Sequence, residues 1–150
     1  MPIYMSLSGI PGESTAAGYL QWIELMSFSW GVSNSPTTGR DFSSMNVMLG
    51  ANIPAPKLML ATAAGTHIKT GIIAATRTSS DKPFEYLRIT LTDVLVSSFQ
   101  QSHSDGENGP PMESLSLNFT KIVYKAVSQK PDGSSVVQSV FWDLKSNTGG

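Results

Sequence analysis

A mostly β domain carrying one α-helix is the fold class this sequence predicts, on three observations. Apolar and polar residues alternate with period two through segment after segment, as in Ile3, Met5 and Leu7 against Tyr4, Ser6 and Ser8. Clusters of turn-forming residues, among them GIPGES, NSPTTGRD, SHSDGENGPP and QKPDGSS, punctuate those segments. Only APKLMLATAAG combines good helix formers with a recognisable start and stop. At 150 residues the chain reads as one domain, 1–150, with enough length to enclose one core.

The first strand is Ile3 to Leu7, followed by a connector to about Tyr19. Gln21 to Ser33 then alternates for a long run: Trp22, Glu24, Met26, Phe28, Trp30 and Val32 share one face, and Ile23, Leu25, Ser27, Ser29 and Gly31 the other. The large aromatics place the Trp30 face in the core. Asn34 to Asp41 reads as a polar loop and Phe42 to Leu49 as a strand. The helix follows, with Pro56 at its first position and Gly65 at a left-handed cap; apolar almost all round, it is expected to be buried against a sheet. His67 to Thr76 is β-branched and strand-like, and SSDKP turns the chain.

Glu85 to Gln100 starts as an orderly strand and then breaks its own alternation. Leu87, Ile89 and Leu91 share a face, but Asp93 falls where an apolar residue is due, and Val94, Leu95 and Val96 form a solid apolar run. A carboxylate in that phase is a functional acid, the mark of a β-bulge, or a structural acceptor of hydrogen bonds. Ser102 to Pro111 is a hairpin tip, after which Leu115, Leu117 and Phe119 resume alternation until Ile122, Val123 and Tyr124 repeat the slip. Val136 to Leu144 is the last strand before a polar tail. Methionines such as Met26, Met45, Met48 and Met59 read as core gap-fillers.

Composition excludes several chemistries. Cysteine is absent, so no disulfide, thiolate nucleophile or thiolate metal site is available. Ten Lys and Arg against eleven Asp and Glu lack the basic footprint of a nucleic-acid binder. The longest nearly apolar run, Leu58 to Ala64, is far short of the ~20 residues of a membrane helix, and the N-terminus has no basic and apolar regions of a signal peptide. Neither stable membrane insertion nor nucleic acid is expected. Nucleotide-binding, P-loop, zinc-protease and nucleophile-elbow motifs are missing, so no cofactor, metal or catalytic residue is assigned. His103 with Ser102, Ser104, Asp105 and Glu107 lists the ingredients of a triad, but neighbours in one loop rarely converge as a triad must.

The stretches GESTAAGYLQWIELMSFSWGVS, PKLMLATAAGTHI, EYLRITLTDVLVSSFQ, PMESLSLNFTKI and FWDLKSN occur in the order found in the haemolysin-coregulated proteins (Hcp), which the chain resembles over nearly its whole length. The resemblance implies a small antiparallel β-barrel of two packed sheets with one flanking helix, similar to phage tail-tube proteins. It further implies a hexameric ring that stacks into the inner tube of a type VI secretion system, is propelled by a contractile sheath with its spike components, and carries effector proteins in its lumen. On this reading the protein is made in the bacterial cytoplasm and secreted without a signal peptide, and is not an enzyme. Ser27, Ser29 and Gly31 become candidates for the lumen face, and Val94, Val96, Ile122 and Tyr124 candidates for subunit contact. The glycine-rich loop that many relatives carry after the SWG strand is reduced here to NSPTTGRD, and the lysines typical around GES give way to TAAG, which puts ring stacking in question while leaving ring formation expected. With six residues following Leu144 in the sequence, no appended toxin domain is expected. Two other functions compete: a monomeric β-sandwich ligand-binding module, and a hydrolase using the His103 loop.

Overall fold

The computed structural model describes residues 2–79 and 82–150. Its strands in chain order are β1 (Ile3–Leu7), β2 (Ile23–Leu25), β3 (Ser27–Ser29), β4 (Val32–Ser35), β5 (Gly39–Phe42) and β6 (Met45–Gly50). The helix α1 (Ala55–Ala64) comes next, followed by β7 (His67–Ser79), β8 (Lys82–Ser102), β9 (Met112–Asn118), β10 (Lys121–Gln129), β11 (Ser135–Asp143) and β12 (Thr148–Gly149). The turn expected at SSDKP includes Ser80 and Asp81, which lie outside the described residues.

Every pairing is antiparallel, and the main sheet runs β12-β11-β10-β8-β7-β1-β2, with a branch from β8 through β9 and β6 to β3. The branch exists because β8 changes neighbours. Leu87 to Thr92 pairs with β10, and Leu95 to Ser102 pairs with β9. Between the two halves stands Asp93, at φ 56°, a left-handed conformation that L-residues other than Asn, Asp and Gly rarely adopt. The turn of the backbone there moves the inward phase from odd to even positions: Ile89 and Leu91 are fully buried before it, Val94 and Val96 after it. The apolar run is therefore a corner within one chain. The two halves fold β9, β6 and β3 over β1, β7 and the near half of β8, and Met5, Ile23, Met45, Val47, Ile73 and Leu115 fill the space between. The sheet is not closed into a continuous barrel, since β2 and β3 meet only through Met26, whose N–H donates to the Met48 carbonyl at 2.7 Å.

Met26 also divides the long strand expected from Gln21 to Ser33. β2 joins β1 and β3 joins β6, so the buried side switches from Ile23 and Leu25 to Phe28 and Trp30. The Trp30 face packs inward only in the second half. Met26 itself is exposed, as are Met48 and Met59, so only Met45 of the four methionines named above fills the core. Asn34 to Asp41 is mostly paired: β4 and β5 form a hairpin, with Gly39 at φ 80° and the Ser35 hydroxyl accepting from the Thr37 and Thr38 N–H groups at 3.3 and 3.5 Å.

The helix starts and stops where proline and glycine require. Pro54 precedes it in helical conformation and has no N–H that would need an acceptor, Pro56 falls at its second position, not its first, and Gly65, at φ 66°, ends it while its N–H and that of Thr66 cover the Thr62 and Ala61 carbonyls. Only Ala55, Leu58 and Ala61 are buried, whereas Met59 and Leu60 face out. The helix thus lies on the flank against β8 and is not engulfed.

Candidate functional site

β3, β6, β9 and the second half of β8 form a four-strand face whose inner side is apolar and whose outer side is neutral and polar. Met45, Val47 and Leu49 on β6 and Leu115 and Leu117 on β9 point inward. The alternate positions Asn46, Ser114 and Ser116 point out, as strand geometry demands. Ser27 pairs with Met48 and Ser29 with Asn46, so both candidate serines are exposed at the border of this face. Side chains knit it laterally: the Ser116 hydroxyl donates to Asn46 Oδ1 at 2.8 Å and Ser44 to Asn118 Oδ1 at 2.7 Å. Gly31 lies past the end of β3, half-buried, its N–H donating to the Ser43 hydroxyl at 2.8 Å, so it belongs to the approach to the β4–β5 hairpin and not to the serine row.

The four residues expected at a subunit contact separate. Val94 is 0% exposed, Val96 1% and Ile122 4%, so these side chains are consumed in the chain's own core and are unavailable to a neighbour. Tyr124 alone of the four reaches the surface, half-buried, with its ring centroid 6.0 Å from that of Trp30.

Tyr124 opens on a feature the sequence reading missed. Between the β4–β5 and β10–β11 hairpins lies an apolar groove of about 390 Å³, walled by Trp30, Val32, Phe42, Tyr124, Val140 and Trp142. Arg40 stacks 4.3 Å from the Trp142 ring at its margin. β11 is exposed on both faces from Ser135 to Phe141; Val136, Val137, Val140 and Phe141 all face solvent. Among the described residues its outer edge is paired only from Phe141 to Asp143, by β12 and Gly150. An unpaired edge bearing apolar side chains is a template for another strand. The adjacent valines in VVQSVFW were the available signal: apolar residues of both parities mark a strand greasy on both faces.

The ionisable groups serve structure. His67 Nδ1 lies 2.9 Å from Asp93 Oδ1, bracing the corner, so the partner of this carboxylate is a side chain. Arg88 donates through Nε and a terminal nitrogen to Glu85 at 2.9 Å each, and Glu85 also accepts from the Tyr19 hydroxyl at 2.9 Å. Burial, then the hydrogen bond to Glu85, push the Tyr19 phenol up to about 12. Tyr19 stacks on Tyr4 at 4.5 Å and meets Trp22 edge-on at 5.1 Å, and the cluster fastens the 9–22 connector to the sheet. Glu113 is buried at the end of the β9 core face; Gln101 Nε2 donates to Oε2 at 2.9 Å, Oε1 has no hydrogen-bond partner among the described residues, and burial pushes its carboxyl up. His103 stands 3.9 Å from Glu107 on the exposed β8–β9 tip, with no serine hydrogen-bonded to it among the described residues. No group of three His, Asp or Glu that could hold a metal is present among the described residues, and no helix there is long and apolar enough to cross a membrane.

Comparison with known proteins identifies the fold. Residues 4–125 match the family model described as "Type VI secretion system effector, Hcp". "Protein hcp1" of Pseudomonas aeruginosa is 33% identical over 94 residues, a match covering 61% of this chain and 57% of the relative, so the chain aligns with little more than half the length of that protein. Among solved structures, one described as a type six secretion system protein superposes with a TM-score of 0.91 at 25% identity over 99% of both chains. A type VI secretion system effector from Yersinia pestis gives 0.80 at 26% identity, covering 94% of this chain and 98% of that one. Hcp1 from Salmonella typhimurium gives 0.84 at 23%, covering 99% and 98%, a likeness of fold. With most of the chain matched by the family model and its two-layer β fold shared from end to end, this protein belongs to the Hcp family of type VI secretion system proteins.

Proposed function

We propose that the protein is an inner-tube subunit that closes into a hexameric ring, with the neutral face of β3, β6, β9 and β8 toward the lumen and effector proteins as its cargo. The observation that carries the reading is the β10–β11 hairpin. Val136, Val137, Val140 and Phe141 are exposed beside a largely unpaired edge and an apolar groove, which is more apolar surface than a lone domain ordinarily leaves uncovered. Contact between two different surfaces of neighbouring copies, repeated by rotation, covers it and closes a ring. Tyr124, at the groove, remains a contact candidate with Ile122 beneath it, while Val94 and Val96 belong to the core. The face carrying Ser27 and Ser29 is uncharged, small in its side chains apart from Met48, and hydrogen-bonded within itself, which keeps a bore open and its walls tolerant of varied cargo. Sheath and spike components are the further partners, and export follows the tube itself.

Mass measurement in solution with negative-stain imaging tests the ring. A sixfold particle with a central hole is the expected result; single copies at every concentration overturn it, and a monomer that binds an apolar ligand in the Trp30–Trp142 groove establishes the ligand-binding module instead. Ser29→Arg tests the lumen, with lowered cargo retention and intact rings expected.

A further inference from the structure

We propose that the groove between α1 and the start of β7 receives the acidic β8–β9 tip of a second copy, forming a polar, head-to-tail contact between rings. The inference rests on the ring reading above and adds its stacking contact.

The groove, about 490 Å³, has an apolar floor of Ile10, Ala61 and Ile68, and a rim carrying Lys57 from α1 and His67 and Lys69 from β7. His67 and Lys69 stand two apart on one strand and so share a face. Asp93 engages His67 at 2.9 Å, while neither lysine has a carboxylate within ion-pair distance among the described residues. In a chain of formal charge -1 this is a local excess of positive charge, and the proposed ring contact and lumen face leave it unused.

The complement is elsewhere in the same chain. Ser102 to Pro111 contains Asp105 and Glu107 and no Lys or Arg, and residues 103–110 are all exposed, with Gly106 at φ 89° forming the turn. Among the described residues Asp105 has no cationic partner within ion-pair distance, and Glu107 has only His103 at 3.9 Å. A copy cannot satisfy itself. His67 is opposite Leu95 on β8, and the tip begins beyond Ser102, seven residues further along an extended strand, more than about 20 Å away. Complementary patches of unlike shape on distant parts of one molecule join heterologously, each copy giving a tip and receiving one. Such a contact sets a direction for stacking, and it is available to a chain whose Asn34 to Asp41 segment is only a short hairpin.

The native chain has no cysteine, which makes the test clean. Thr66→Cys combined with Ser104→Cys, which leaves both lysines and both carboxylates in place, should on oxidation in rings give disulfide-linked species larger than one ring. The yield should exceed that of a Thr66→Cys/Thr38→Cys control and fall about fivefold or more in 0.5 M salt, where charges are screened within about 4 Å. A yield equal to the control overturns the proposal. Charge reversal supplies the second arm: Lys57→Glu/Lys69→Glu should keep the melting temperature and the sixfold mass but lose ring-to-ring association, which adding Asp105→Lys/Glu107→Lys should restore. Unchanged association in the first variant, or no recovery in the second, also overturns it. Failure of the ring reading appears separately, as single copies in the unmodified protein, and the cross-link between copies is still scored.

Discussion

Asp93 is the residue on which the architecture turns. Its left-handed backbone lets β8 leave β10 and join β9, and its carboxylate is held by His67. Asp93→Gly should retain the fold, since glycine adopts this conformation freely, whereas Asp93→Val should cost about 1–3 kcal/mol in chemical denaturation, because a β-branched residue is strained there. Glu113 gives a pH signature. Its carboxyl is raised by burial, so the folded state binds the proton more tightly than the unfolded chain. The resulting stabilisation is complete below the ordinary glutamate range and is lost as pH rises through the folded value. Stability should therefore fall on going up from about pH 4.5 by this contribution, and Glu113→Gln should flatten that part of the profile in denaturant titrations. The sequence displayed the break at Asp93 plainly, as an acid in an apolar phase. It did not display the cause, because exchanging one neighbouring strand for another is a property of three strands at once; hence Val94 and Val96, which are core, read as surplus for a neighbour. Glu113 was hidden more completely, since a lone glutamate between a methionine and a serine looks solvated until the packing around it is known.

Among the elements, α1 was the most legible because its signals are local: Pro56 near the start, Gly65 at the stop. Gly65→Ala should cost about 1 kcal/mol, read as a lower denaturation midpoint, because the αL cap at φ 66° favours glycine. Its exposed side was not legible, since Met59 and Leu60 look like core residues in a helix that is in fact buried on one narrow face. The Gln21 to Ser33 run shows the reverse case. The large aromatics drew the whole run onto one face and concealed a break at Met26, where the two halves pair with different strands and the inward phase passes from Ile23 and Leu25 to Phe28 and Trp30. The β4–β5 hairpin was hidden by its polarity, having two exposed strands without a core face to mark them.

For the whole molecule, the distinction between core and contact surface can be measured. Val94→Asp buries an unpaired carboxylate and should abolish soluble, folded protein. Val140→Asp lies on the half-exposed β11 and should leave the melting transition nearly unchanged while reducing the particle mass from ring to protomer. The two variants should differ in fate because Val94 is satisfied within the chain, whereas Val140 is exposed and would be covered only by a neighbour in the proposed ring. In the proposed tube, the continuity of β8 has a mechanical consequence. Its 21 residues run unbroken through both layers, flanked by β7 along much of one side and by β10 and then β9 along the other. Thrust entering at either end of that spar is shared among many crosswise hydrogen bonds loaded in shear. The subunit is stiffest along β8, and under overload it should yield first where the ladder is thinnest, at the β11 edge.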